Sequence, residues 1–274
     1  MEDNGGGAVA AGSSGTAAGS SSAGTRSCLT EDEYQKLVNA VRPWFRSVVR
    51  IIRTRGTKKK KEAIYTSNAL VVLSRAERSF FVTCNHNLGR NPKDATIRLY
   101  NGTKDYPIDM IHYRDSDLDL LLFSVKNVPV LQELPMFCPK SEEPSRFDLV
   151  AVLGFSGPKV QVDQPLEDLV LVKEPTILPG EIVDEPFHET KYKLNLINSC
   201  STTAGISGSP LFNEMGKVVG IHLATDKTMR EAASADTLLV RLKRWLRDGE
   251  DSNTIEQLVE KVYEKFSHGG KSKR

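Results

Sequence analysis

From Arg46 to about Thr225 the apolar positions fall in short runs rich in Val, Ile, Leu and Phe, each closed by turn-forming residues. Runs of this kind predict β-strands over residues 47–52, 63–72, 80–83, 96–100, 108–113, 118–125, 149–154, 169–178, 192–197 and 218–223. Asn101-Gly102, Gly154 with Gly157-Pro158, and Pro179-Gly180 are the strongest turn signals between them. No helical period of useful length interrupts the runs, which favours antiparallel barrels or a sandwich over an α/β sheet. The flanks change period. Thr30 and Glu33 make a capping box, and Tyr34, Val38 and Val41 recur at helical spacing before Pro43, predicting a helix over 30–42. Leu238, Leu239, Leu242, Trp245 and Leu246 fit one helical face near the C-terminus. Ile255, Leu258, Val259, Val262, Tyr263 and Phe266 fit a second, with Asp251-Ser252-Asn253 as a cap between the two. The chain therefore divides into a tail (1–27), an N-terminal helix (28–45), a main β domain (46–230) and a C-terminal helical extension (231–274).

Composition refines this picture. The first 27 residues are almost all Gly, Ala and Ser and cannot bury enough surface to offset the entropy of ordering, so they are expected to be disordered. A chain of 274 residues can build a core without staples. The four cysteines, Cys28, Cys84, Cys138 and Cys200, show no paired spacing, so reduced thiols and no metal site are expected. Lys and Arg number 37 against 35 Asp and Glu, a net charge of +2 too balanced for nucleic acid as the main partner. No apolar run suits a secretory signal or a membrane span of ~20 residues, so a soluble protein of the cytoplasm or nucleus is expected. Glu2, Asp3 and the single basic Arg26 count against a plastid transit peptide. The run 58–61, all Lys, reads as a solvated hairpin loop.

The candidate chemistry centres on Ser207, in Gly205-Ile206-Ser207-Gly208-Ser209-Pro210. Small residues on both sides let the backbone turn tightly, exposing the hydroxyl and aiming neighbouring amides at one point. A glycine-flanked serine alone is more often an ordinary turn; a base and an orienting carboxylate upstream change that weighting. His86 follows the apolar run Phe80-Phe81-Val82-Thr83, where a strand end can hold an imidazole beside a cleft. Asp119 heads Leu120-Leu121-Leu122-Phe123, with Asp117 as the alternative if Asp115, Asp117 and Asp119 alternate along one strand. Calcium binding by these aspartates is excluded because Leu120 stands where the loop needs Gly. Cys84 reads as a small buried hydrophobe, or as a thiol near enough to the imidazole to make activity redox-sensitive.

These residues resemble the trypsin-fold serine peptidases, closest to the HtrA/Deg group and the bacterial glutamyl endopeptidases. Val82-Thr83-Cys84-Asn85-His86, Asp119-Leu120-Leu121-Leu122 and Gly205-Ile206-Ser207-Gly208-Ser209-Pro210 carry the likeness, over roughly residues 46–225. The resemblance implies an all-β, chymotrypsin-like double antiparallel β-barrel, here with an N-terminal helix and C-terminal helices. It implies a serine endopeptidase acting on peptide or protein substrates without a cofactor, with His86, Asp119 and Ser207 as the triad and the amides of Gly205 and Ser207 as the oxyanion hole. Ile206 stands where many relatives carry Asp or Asn, so activation through a salt bridge to a processed N-terminus is not expected. Thr202, five residues before Ser207, and His222, fifteen after it, match the residues that line the primary pocket of glutamyl endopeptidases. A hydroxyl and a protonatable imidazole suit Glu or Gln before the scissile bond. His222 on an apolar strand reads equally well as a core residue, and Leu223-Ala224-Thr225, where relatives carry glycine, is expected to narrow the pocket. The rival reading is a peptidase fold kept as a protein-interaction scaffold.

Overall fold

The structure, a computed structural model, describes residues 29–55, 63–89, 91–157, 171–184, 187–190, 193–225, 230–248 and 252–267. The tail, Cys28, the run 58–61 and Tyr192 lie outside them. Helix α1 (Glu31–Val41) starts on the expected capping box: Thr30 Oγ1 accepts from Glu33 N at 3.3 Å, and Glu33 Oε2 accepts from Thr30 N at 2.9 Å. Pro43 then falls in a 3-10 turn, Arg42–Ser47, that leads into the strands.

Seven strands form the first sheet: β1 (Val48–Arg55), β2 (Ala63–Ser74), β3 (Arg78–Cys84), β4 (Ala95–Arg98), β5 (Asp105–Pro107), β6 (Met110–Asp115) and β7 (Leu120–Lys126). Their order is β5-β4-β1-β2-β3-β7-β6, and β5 curls back against β7. The second sheet holds β8 (Leu149–Gly154), β9 (Thr176–Glu181), β10 (Phe187–Thr190), β11 (Lys193–Ile197), β12 (Pro210–Asn213), β13 (Val218–Thr225) and β14 (Arg230–Ser234), ordered β10-β11-β14-β13-β12-β8-β9. The pairings are antiparallel throughout. Two curled antiparallel sheets give the chymotrypsin-like double β-barrel.

Burial explains why several strands read as unbroken apolar runs rather than alternating ones. Phe81, Leu121 and Phe123 fill the first barrel, while their neighbours Phe80, Val82, Leu120 and Leu122 point the other way into a cluster shared with Leu149, Ala151, Leu153 and Phe212 of the second sheet. Val150, Val152, Leu196 and Ile206 fill the second barrel. The shared cluster also takes Leu37 and Val41 from α1, Leu238 and Leu242 from α2 (Ala235–Leu246), and Leu258 and Val262 from α3 (Ile255–Ser267).

The structure departs from expectation in four places. Residues 171–175 are not strand, and β9 begins only at Thr176. Pro179-Gly180 lies inside that strand and not in a turn. β9 is a sheet edge, where a missing N–H is tolerated, and Gly180 is needed because an added Cβ would come 2.5 Å from Cys200 N. Strands β5, β10, β12 and β14 carried no expected signal, and β14 extends the second sheet beyond the boundary drawn at 230. The cap of α3 is Thr254, whose Oγ1 accepts from Gln257 N at 3.2 Å while Gln257 Oε1 accepts from Asn253 N at 2.8 Å.

Helix α3 docks on the first barrel around His112, whose ring centroid is 4.9 Å from that of Phe80 and 4.7 Å from that of Phe266. Its Nε2 shares a 2.8 Å hydrogen bond with Ser124 Oγ. Burial first, then the charge of Arg78, lowers its pKa to about 4, against the opposing pull of Asp109. The folded imidazole is thus neutral where the unfolded one, near 6.5, takes a proton, so stability is full above that value and falls as pH drops toward 4. A loss of up to about 3 kcal/mol is expected across the window. Urea unfolding at pH 7 and pH 4.5 measures it, and His112→Gln should flatten the slope; a pH-independent midpoint in the unaltered protein would overturn the assignment.

Candidate active site

Strand β3 ends at Cys84, and a single 3-10 turn, Asn85–Asn87, lifts His86 off the barrel rim. The opposing carboxylate comes from the tight connection between β6 and β7, not from one continuous strand bearing three aspartates. Asp115 closes that connection, its Oδ1 accepting from the amides of Asp117 and Leu118 at 3.0 Å each. Asp117 is exposed, whereas Asp119 adopts φ +55°, a left-handed conformation that Asp tolerates, and turns toward the histidine. Asp119 Oδ2 lies 2.5 Å from His86 Nδ1, and Oδ1 accepts from the His86 amide at 2.9 Å. Asp119 O also accepts from Asn85 N at 2.9 Å, so carboxylate and imidazole are fixed by both backbone and side chain.

Ser207 sits in the loop before β12, between Gly205 at φ +94° and Gly208 at φ +86°. Its carbonyl accepts from Asn68 N at 3.0 Å and from Asn87 Nδ2 at 2.9 Å, so serine and histidine segments share one corner. Among the described residues, Ile206 N donates to Thr203 O at 3.3 Å while the amides of Gly205 and Ser207 on either side donate to no protein acceptor. That alternation is what an anion-binding pair of amides requires. Ile206 itself is fully buried in the second barrel.

Sequence reasoning missed two asparagines that hold this corner together. Asn68, fully buried in β2, donates from Nδ2 to Gly205 O at 2.8 Å and to Phe155 O at 3.2 Å, and accepts at Oδ1 from Phe155 N at 2.8 Å. Asn87 Nδ2 also donates to Thr83 Oγ1, at 2.9 Å. A polar amide inside the apolar run of β2 was the signal for the first; nothing in the sequence marks the second.

Thr202 and His222 are 7% and 1% exposed. The backbone of His222 is tied to the serine loop, since Gly208 N donates to His222 O and His222 N donates to Ser209 O, both at 2.8 Å. Burial first, then Arg230 and His86, lowers the His222 pKa to about 4. The imidazole is therefore neutral at pH 7.

Cys84 Sγ, a ring nitrogen of His86 and a carboxylate oxygen of Asp119 lie within 4.8 Å of one another. The trio suits a metal poorly. Burial, reinforced by the charge of Asp119, pushes the Cys84 thiol pKa well up, its Sγ contacts His222 O at 3.2 Å, and His86 Nδ1 is already engaged by Asp119. Cys138 and Cys200 are also free and buried. Among the described residues no helix is long and apolar enough to cross a membrane.

No curated protein matches the chain closely enough to count as a relative. Residues 68–221 match the family model of the trypsin-like peptidase domain, a span that covers more than half the chain and includes His86, Asp119 and Ser207. With that match and the two antiparallel barrels, the chain belongs to the trypsin-like peptidase domain family of serine peptidases.

Proposed function

We propose that the chain is a serine endopeptidase that forms an acyl-enzyme at Ser207 and cleaves after Glu or Gln. The observation that carries this reading is the 2.5 Å contact between His86 Nδ1 and Asp119 Oδ2, beside a serine loop tied to the same corner by Asn87. With Nδ1–H directed at the carboxylate, Nε2 is the basic nitrogen, and the half-exposed ring presents it to the cleft. Ser207 Oγ then attacks the substrate carbonyl carbon as its proton passes to His86 Nε2. The amides of Gly205 and Ser207 receive the developing oxyanion. Collapse expels the amine, which takes the proton back from His86, and water repeats the cycle to release the acid. Thr202 and His222 line the primary pocket and donate to an oxygen of the Glu or Gln side chain.

A fluorophosphonate probe tests the nucleophile: one covalent adduct is expected, mapping to Ser207 by peptide mass, and no adduct would leave an interaction scaffold. Peptides differing only in Glu, Gln, Lys or Leu before the scissile bond test the pocket. Glu or Gln should lead; a Lys optimum would overturn that assignment.

A further inference from the structure

Choosing Glu over Gln needs a positive charge, because a hydroxyl and an uncharged imidazole donate to a carboxylate and to an amide oxygen alike. His222, neutral down to about pH 4, does not supply one. Thr202 has none.

Arg230 stands where that charge is needed. In the β13–β14 ladder His222 faces Ala232, so both side chains leave the same side of the sheet. The irregularity in this pairing falls between His222 and Ala224, on β13, while β14 runs regularly through Arg230, Glu231 and Ala232. Arg230, two residues before Ala232, therefore shares the face of His222, and Glu231 takes the opposite one. Diagonal partners in such a ladder lie about 7 Å apart, well within the reach of an arginine. The backbone of Arg230 is anchored beside the pocket segment, since its carbonyl accepts from both Asn198 N and Asn198 Nδ2 at 3.1 Å, and Thr202 N donates to Cys200 O just beyond. The guanidinium acts electrostatically on both His222 and Cys200.

Among the described residues its charge is uncompensated. Arg75, Arg78 and Arg98 pair with Glu260, Asp109 and Asp105, but among the described residues no carboxylate pairs with Arg230, and its buried Nε has no hydrogen-bond partner. An ion half-removed from water without a counter-charge favours an anionic ligand.

We infer that Arg230 is the charge-reading residue of the primary pocket, pairing with the carboxylate of a Glu side chain while Thr202 and His222 hold it by uncharged hydrogen bonds. This inference rests on the serine endopeptidase reading and on the pocket assigned to Thr202 and His222.

The test compares kcat/KM for matched peptides with Glu or Gln before the scissile bond, on the unaltered chain, Arg230→Gln and Arg230→Lys, each checked for folding by circular dichroism. The unaltered chain should favour Glu by about tenfold or more, the effect of one charge-assisted pair. Arg230→Gln should bring the ratio near one, and Arg230→Lys should retain most of it. A binding arm uses Ser207→Ala with product peptides ending in Glu or Gln, where adding Arg230→Gln should erase the same preference in Kd. A ratio unchanged in Arg230→Gln, or near one in the unaltered chain, overturns the inference while cleavage and the Ser207 adduct leave the endopeptidase reading standing. A chain giving neither adduct nor cleavage removes that reading, and this inference with it.

Discussion

Ser207→Ala is expected to lower kcat by about 10⁶-fold and to abolish the fluorophosphonate adduct, and Asp119→Asn to lower kcat by about 10⁴-fold. The two losses differ because the residues do different things. Without Ser207 Oγ there is no acyl-enzyme, and only binding and the oxyanion amides remain. Asp119→Asn keeps the size of the side chain but presents an amide to His86 Nδ1 at the 2.5 Å contact, which favours the tautomer that carries its proton on Nε2. That nitrogen can then no longer accept from serine. Peptide hydrolysis across pH, with circular dichroism to confirm folding, separates the cases. Asp117→Asn is the comparison: Asp117 is exposed and its carboxylate makes no contact with His86, so its rate should stay close to that of the unaltered chain. Equal losses in the Asp117 and Asp119 variants would overturn the role given to Asp119.

Gly208→Ala is expected to remove about 3 kcal/mol or more of folding stability, combining a left-handed backbone penalty with a steric clash. The added Cβ would stand 2.1 Å from Asn68 O, 2.3 Å from Thr83 Oγ1 and 2.7 Å from Asn87 Nδ2, at φ +86°. Two of those contacts cannot move freely: Asn68 is fully buried, and Thr83 Oγ1 donates to Asn68 O at 2.6 Å. In thermal melting this corresponds to a drop of about 10 °C. Activity should vanish as well, because Asn87 Nδ2 and the backbone N–H of Asn68 hold the Ser207 carbonyl. An unchanged melting temperature would mean that the serine loop is not packed as described.

The double barrel was legible because the strongest strands are buried on both faces and so read as dense apolar runs. β3, β7 and β8 belong to this group. β12 and β14 were not legible for the opposite reason: Pro210 heads one, and Arg230-Glu231-Ala232-Ala233-Ser234 has too little apolar bulk to show a strand period. The serine segment was legible as a motif, since its chemistry depends on neighbours in sequence. The choice between Asp117 and Asp119 was not, because it turns on one left-handed residue in a tight connection. The role of Asn68 was hidden for a further reason: its partners, Phe155 and Gly205, are far away along the chain.

The apolar cluster shared by both barrels and by all three helices has a consequence for survival. A peptidase cleaves chain that can lie extended in its own cleft, so it must keep its own working parts from opening locally. The strands behind His86 and Asp119, and the one that follows Ser207, all send side chains into that cluster, through Val82, Cys84, Leu120 and Phe212. None of these segments can peel away without loosening the others. Local opening of the machinery is thereby coupled to loosening of the cluster that both barrels share.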